Sequence, residues 1–465
     1  MIVAGDSHFL RIPPFPRHRA GALVRAGRGP VGDPQALMAA LVEERVGGAF
    51  WAPEQDAWTR TGRDDDEARL VAALQGGGAG GLAVAERIMA AGAPYDPFTG
   101  AAMDWIAAVR LLGEWRRLIE ANRAYAAIFG IAGWKRVTLD ALLWDGTGAV
   151  RYRGDARGLR SGDLALAWVA RSVAGLDAEL GALGVARGEI EDGLIRSSGL
   201  GANCVPPLSV IVDGVGSYID PSRPSALEGM LGAGVFPPDL LARAKALREA
   251  LVAKGVSKYG VGGAAPCLPP RTRRRVLVTG QVEDDRAVIL GGAGCDNRRL
   301  LVRARAFEPD AEIIYKPHPD VEAGHRKGRI PDAEALAYAD HIERHAPIAG
   351  LLGEVDAVHV ISSQAGFEAL LRGVEVVTHG QPYYAGWGLT RDLGPAIARR
   401  GRRRTLDELV AAVLLLYPRY LDPVTRLPCR VEVLVQRMAQ GQADMDGPLV
   451  RLRLWQGRLR KFLRV

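Results

Sequence analysis

Cysteine is scarce and scattered: Cys204, Cys267, Cys295 and Cys429 are the whole complement. They show neither metal-ligand spacing nor a disulfide framework, which fits buried thiols in a reducing compartment and points to the cytoplasm. Long hydrophobic runs are also missing. The longest late one, Leu409 to Tyr417, falls far short of the roughly 20 residues that cross a bilayer, and no basic segment followed by a sustained apolar stretch opens the chain. Charge of one sign is barely in excess: 60 Lys and Arg stand against 53 Asp and Glu, a net +7. That surplus does not indicate a nucleic-acid binder and suits acidic small molecules or an anionic membrane surface. What is present is ample apolar material, 48% of 465 residues, enough for full cores in two to three domains. No internal repeat is visible.

The first 90 residues are broken by Pro13-Pro14 and by glycines at 27 to 32 and 76 to 81, and a short helix opens at Asp64-Asp65-Asp66. From Met103 to about Phe129 the positions Trp105, Ile106, Val109, Leu112 and Trp115 recur at helical spacing among Arg110, Arg116, Arg117 and Arg123. This predicts one amphipathic helix with a solvated basic face, followed by a helical stretch to Trp144. Residues 164 to 192 read as strand, helix and strand, the last running into Glu191-Asp192-Gly193. Two adjacent carboxylates in an extended segment point opposite ways, so only one can face a given pocket. Arg196, Ser197 and Ser198 follow, a guanidinium and hydroxyls able to hold a sugar acid's carboxylate. The competing reading is a simple Asp192-Gly193 turn with Arg196 as its ion pair. Leu208 to Val212 is a further strand ending on the hairpin signal Asp213-Gly214, with Ser217-Tyr218-Ile219 as its return, and Ser225 with Glu228 three residues on reads as a helix N-cap. A glycine break at 260 to 263 marks the expected boundary between two halves.

The second half alternates strands and helices more regularly. Val276 to Gly280 is a buried-strand pattern with Gln281 to Asp285 as its loop. The strand Ile313 to Tyr315 stops at Pro317, which cannot donate to a ladder, leaving Lys316 and His318 at its carboxyl end. Ligands sit there in open α/β sheets, and a cation beside an imidazole suits a nucleotide phosphate and ribose; the alternative is a proline-rich turn with two solvated residues. Asp356 to Ile361 turns through Ser362-Ser363-Gln364 into a helix, which offers an anion site at the helix amino terminus unless Ser363 only caps. The two loops would open at one sheet edge. After Val374 to Val377, the loop His379 to Thr390 holds Tyr383, Tyr384 and Trp387, either covering a nucleobase or sugar or packed as an Ω-loop. Arg451 to Val465 carries six basic and no acidic residues among Leu452, Leu454, Trp455, Leu459, Phe462 and Leu463. It reads as an interfacial helix on anionic lipid or as a basic helix docked on its own protein, and the run Arg399 to Arg404 adds to the membrane reading.

Taken in order, these segments resemble one family: Glu191 to Ser197 with Gly199-Leu200-Gly201, Pro207-Leu208-Ser209, Asp220 to Ser225, Gly280 to Asp285, Tyr315 to Asp320, Gln364 to Ala369, Gln381 to Thr390 and Tyr417 to Tyr420. The resemblance is to the KpsC-type capsule polysaccharide biosynthesis and export family of retaining β-Kdo glycosyltransferases, over about residues 95 to 435. It implies an α/β, GT-B-like fold of two Rossmann-like domains facing a cleft. Residues 1–95 would be an N-terminal extension of unknown role, 96–265 the domain with the catalytic aspartate and the acceptor side, 266–435 the CMP-sugar domain, and 436–465 a basic amphipathic tail.

The same resemblance implies transfer of Kdo from CMP-Kdo to a lipid-linked, Kdo-primed acceptor in capsule linker synthesis. Asp192 would be the nucleophile of a covalent Kdo adduct, with Glu191 and His318 as the other catalytic groups. Lys316 and His318 would hold the CMP phosphate, Ser362, Ser363 and Gln364 would bind it from the helix end, Gln281, Asp284 and Asp285 would lie near the nucleotide, and Arg196 would take the Kdo carboxylate. No metal or cofactor is expected, because cations and helix dipoles can neutralise the departing phosphate. Expected partners are CMP-Kdo, the lipid-linked acceptor, an anionic inner-membrane surface on which this cytoplasmic protein is peripheral, and a second Kdo transferase or the capsule export machinery, with no nucleic acid. Two departures stand out: one motif set where the best-known branch carries two transferase modules, and Trp168-Val169-Ala170-Arg171 in place of the family's Trp-Gly-Arg segment. The alternatives are a noncatalytic CMP- or lipid-binding subunit and a transferase for another CMP-sugar.

Overall fold

A computed structural model describes residues 9–18, 21–27, 29–60, 62, 65–171, 174–199, 204–258, 260–262, 266, 268, 270–324, 326–445, 447 and 450. The chain divides into two compact units, one of Met1–Ala165, Ala178–Ala186 and Tyr420–Cys429, the other of Leu166–Asp177, Arg187–Arg419 and Arg430–Val465. The basic tail of 451–465 lies outside the described residues.

The first unit is mainly helical, with α1 (Pro34–Glu44), α2 (Asp66–Gly76), α3 (Gly78–Ala90) and α4 (Trp105–Asn122). Asp33, Asp65 and Asp104 cap α1, α2 and α4 by accepting from main-chain N–H groups that have no intrahelical partner. The apolar stripe of α4 buries Trp105, Leu112 and Trp115, and Phe15 sits edge-on to Trp115 and Trp144 with centroids 5.8 and 5.4 Å away. Arg116 departs from the expected solvated face: it is buried in an ion pair with Asp56 at 2.7 Å. The helix also ends earlier than its periodicity suggests. Tyr125–Phe129 forms a strand, β1, because Tyr125, Ile128 and Phe129 pack better on a pleated surface than on one more helical turn. The next helix, α5 (Arg136–Leu142), stops two residues short of Trp144, and the Asn122 side-chain amide donates to the carbonyls of Leu142 and Trp144.

In the second unit, β2 (Ala186–Asp192) pairs antiparallel with β3 (Ser209–Asp213), Glu191 opposite Ile211 and Asp192 opposite Val210. No strand returns through Ser217 to Ile219. The buried Asp213 carboxylate explains why, since it accepts from Val215 N and Gly216 N and bends the chain at once, then accepts from Ala226 N and the Tyr417 hydroxyl. Ser225 caps α6 (Ala226–Ala233) as its sequence signature predicts. After α7 (Pro238–Ala253), the short hairpin of β4 (Val256–Ser257) and β5 (Gly260–Val261) carries Lys258 in its turn.

Six parallel strands complete this unit: β6 (Arg275–Thr279), β7 (Glu312–Lys316), β8 (His341–Ile342), β9 (Ala357–Val360), β10 (Glu375–Thr378) and β11 (Arg391–Asp392). Their order across the sheet is β8-β7-β6-β9-β10-β11. Counted along the chain this is third, second, first, fourth, fifth, sixth, the Rossmann-type arrangement in which the order reverses between the first and fourth strands and a crevice opens at their carboxyl ends. The strands read as near-continuous Val, Ile and Leu because they are covered on both faces; Val276, Val278, Ile313 and Tyr315 pack with Leu300, Leu301 and Ala304 of α9 (Asn297–Phe307).

The arginine run is not a membrane-facing cluster throughout. Arg399 and Arg400 pair with the buried Glu228, Arg400 also donates to Pro382 O and Ala385 O, and Arg404 donates to Leu231 O and Gly234 O. Among the described residues no helix is long and apolar enough to cross a membrane.

Candidate active site

The crevice between β6 and β9 is built by the loops that follow them. Gln281, just beyond β6, is held at its main chain by Asn297, whose side-chain oxygen accepts from Gln281 N at 2.8 Å and whose amide donates to Gln281 O at 2.7 Å. Its side chain crosses to the other loop: Oε1 accepts from Ser362 N at 2.8 Å and Nε2 donates to Ser362 Oγ at 3.2 Å. Ser362 Oγ in turn donates to Ala287 O at 2.8 Å. Ser363 accepts from Ala365 N and caps α10 (Gln364–Leu371), so its hydroxyl does the work of the bland alternative.

The aromatic loop packs rather than standing open. Tyr383, Tyr384 and Trp387 are buried, and their polar ends reach inward: Tyr383 donates to Gln364 Oε1 at 2.9 Å, Tyr384 to Ser363 O, and Trp387 to Tyr383 O at 3.0 Å. Burial pushes both phenols well above their usual pKa, which keeps them donors. Gly366 is required by this packing, since a Cβ there would lie 2.2 Å from the Tyr384 hydroxyl.

Lys316 closes β7, and burial lowers its ammonium pKa while the charge of Glu343 opposes that shift. His318 caps the short helix of Pro319–Glu322, its Nδ1 accepting from Asp320 N at 3.2 Å, which leaves Nε2 to carry the proton of the neutral ring. Burial lowers its pKa; Asp320 and Asp285 raise it, Arg326 and Lys258 lower it. At neutral pH the ring is therefore neutral. Asp285 caps α8 (Arg286–Gly291) by accepting from Ala287 N, and Asp284 pairs with Arg326 at 3.1 Å.

At the end of β2 the two adjacent carboxylates meet different arginines, as the alternation of a strand requires. Glu191 pairs with Arg286 at 2.6 Å, and the same guanidinium reaches the buried Glu189 at 3.0 Å. Asp192 pairs with Arg196 Nε at 2.9 Å; its side chain is 29% exposed, whereas that of Arg196 is 1% exposed. The Arg196 guanidinium also donates to Ser197 Oγ at 2.7 Å and Val205 O at 3.0 Å, so its hydrogen bonds go to the chain around Asp192. Gly193 lets β2 and β3 close here, because a Cβ would lie 1.9 Å from Ser209 Oγ.

A cleft of about 420 Å³ of empty space, open to solvent, is lined by Tyr218, Lys258, Ala287, Ser362, Gln364 and Gln381 among others. Ser362 and Gln364 are the expected site residues that line it; Gln281 braces Ser362, and Asp192, Lys316 and His318 are not among the lining residues. Lys258 and Arg286 were not singled out by the sequence. The signals available were slight, a position shortly before the glycine break at 260 to 263 for Lys258 and one just after Glu283-Asp284-Asp285 for Arg286. Among the described residues no group of three or more His, Cys, Asp or Glu could hold a metal ion.

Fold and site define an α/β protein with a Rossmann-type sheet whose switch-point loops present hydroxyl and amide groups, with a carboxylate pair held by arginines in the same unit. Residues 238–420 match the family described as Capsule polysaccharide biosynthesis protein. A solved structure titled Thermosulfurimonas dismutans KpsC, beta Kdo 2,4 transferase, is similar at 32% identity and a TM-score of 0.58, over 68% of this chain and 98% of that one. The beta Kdo 2,7 transferase of the same name and organism is similar at 29% identity and a TM-score of 0.55, over 68% and 99%. The chain belongs to the KpsC-type capsule polysaccharide family. Curated relatives include the lipopolysaccharide-processing protein LpsZ of Rhizobium meliloti, 47% identical over 236 residues, and the capsule polysaccharide modification protein LipA of Neisseria meningitidis serogroup A, 44% identical over 248 residues. The matches take in 50% and 53% of this chain, and 53% of LpsZ and 35% of LipA, so the chain spans about half of one relative and about a third of the other.

Proposed function

We propose that this protein is a retaining β-Kdo glycosyltransferase that moves Kdo from CMP-Kdo to a lipid-linked, Kdo-primed acceptor in capsule linker synthesis. The observation that carries this reading is Asp192 at the end of β2, partly exposed and braced by Arg196, in a chain similar over 98% of a solved beta Kdo transferase. In the proposed reaction the Asp192 carboxylate bonds to the anomeric carbon as the CMP phosphate departs with the electron pair of the glycosidic C–O bond. An acceptor hydroxyl then displaces the carboxylate, losing its proton to a base, and two inversions give net retention. The proposed donor site is the Gln281 and Ser362 crevice, with Lys316 and the neutral His318 at the end of β7. GT-B-like opposition of two Rossmann-like domains and peripheral attachment through residues 451–465 complete the proposal.

Incubation with CMP-Kdo and a Kdo-primed lipid yields product that Asp192→Ala abolishes, with one Kdo added to the intact mass when donor is trapped without acceptor. Product persisting in Asp192→Ala removes the nucleophile. Deleting residues 451–465 weakens binding to anionic vesicles; unchanged binding removes the anchor.

A further inference from the structure

Arg196 is the guanidinium that a sugar acid's carboxylate would be expected to meet, yet it is 1% exposed and its nitrogens face Asp192, Ser197 and Val205. The cation that does line the cleft is Lys258. It stands in the β4–β5 turn, and that turn is tied down on both sides through its main chain. Lys258 N donates to Glu368 Oε1 on α10 at 3.3 Å, while Lys258 O accepts from Arg196 N at 3.0 Å and Ser197 N at 3.4 Å. One residue thus connects the helix that begins at Gln364 with the segment that braces Asp192. Lys258 also lines a small adjoining pocket whose walls are Leu194, Phe367, Leu371 and Leu414 together with the buried Glu368. Beyond the dominant effect of burial, the Lys258 charge adds to the lowering of the His318 pKa and opposes the rise at Glu368.

We infer that Lys258 is an anion-binding residue of the cleft, its ammonium taking the phosphate or the sugar carboxylate of an anionic donor between Ser362 and Gln364. The inference rests on the proposed donor reading and adds to it a residue outside all the motifs that carry the family resemblance. The turn anchored by its main chain fixes the root of this side chain beside the cleft.

The test is calorimetric titration of the full chain and of Lys258→Met and Lys258→Arg with three probes: CMP, free Kdo and inorganic phosphate. Removing a charge-assisted contact costs about 10- to 100-fold in affinity. Lys258→Met is expected to lose that much for CMP if the ammonium meets phosphate, or for Kdo if it meets the carboxylate. Lys258→Arg keeps most of the affinity, and raising the salt concentration narrows the gap between wild type and Lys258→Met. Thermal unfolding of both variants shows that they fold, so a loss of binding is read from folded protein. Equal binding by wild type and Lys258→Met overturns the assignment and leaves the transferase reading intact. A wild type that binds phosphate but neither CMP nor Kdo, with loss of phosphate in Lys258→Met, overturns the donor reading and keeps the anion site. A wild type that binds none of the three overturns both.

Discussion

His359 on β9 and His379 just beyond β10 form a wholly buried pair, Nδ1 of the first 3.1 Å from Nε2 of the second. Burial drives the pKa of His359 down to about 3, helped by the charges of His379 and Arg274, and that of His379 down to about 4, helped by Arg303. The Glu308 carboxylate lies 3.9 Å from His359 Nε2 and is paired with Arg274 at 3.1 Å. Both rings are therefore neutral in the folded protein near pH 5, while an unfolded histidine takes up a proton as the pH falls through about 6.5. Since the unfolded chain binds more protons, stability is complete above that value and declines as the pH falls toward the folded values. Each ring costs about 2 kcal/mol near pH 5, so the pair costs about 4 kcal/mol. Urea unfolding at about pH 7.5 and about pH 5 measures the loss. The wild type is expected to lose about 4 kcal/mol more between the two conditions than His359→Asn/His379→Asn, and His379→Asn alone to recover about half of that. Parallel losses in all three proteins would refute the reasoning.

Gly366→Ala drives a methyl group into the Tyr384 hydroxyl, which destabilises by about 1–3 kcal/mol; Gly366→Ala/Tyr384→Phe recovers part of it, and a thermal midpoint equal to wild type counts against the tight fit. Arg286→Ala leaves Glu191 without that guanidinium and Glu189 with Arg187 and Arg223; kcat/KM for Kdo transfer falls about 10- to 100-fold while CMP affinity changes little, and unaltered kcat/KM shows that Arg286 does not position the carboxylates. These join the Asp192→Ala and tail-deletion outcomes stated with the proposed function.

Much of the second unit was legible in the linear chain. Strands buried on both faces write themselves as short Val and Ile runs, Pro317 ends β7 where it must, and Ser225 and Ser363 cap their helices through contacts two or three residues away. Less legible were the ends of elements that look continuous by periodicity. The stripe that predicts helix to Phe129 breaks at Asn122, and Asp213 bends a chain that reads as a hairpin.

Residue type and short-range order were enough to establish the alternating strands and helices, the caps and the presence of carboxylates, hydroxyls and cations near strand ends. Only the tertiary structure decided which of those groups serve each other. Arg116 and Arg196 are buried against carboxylates, Arg399 and Arg400 converge on Glu228, Gln281 reaches Ser362, and Lys258 lines the cleft. The reason is one of range. Caps, turns and periodicity act within about four residues and leave a trace in local order, whereas Gln281 and Ser362, or Glu228 and Arg400, meet across distant stretches of chain whose approach depends on packing the whole core.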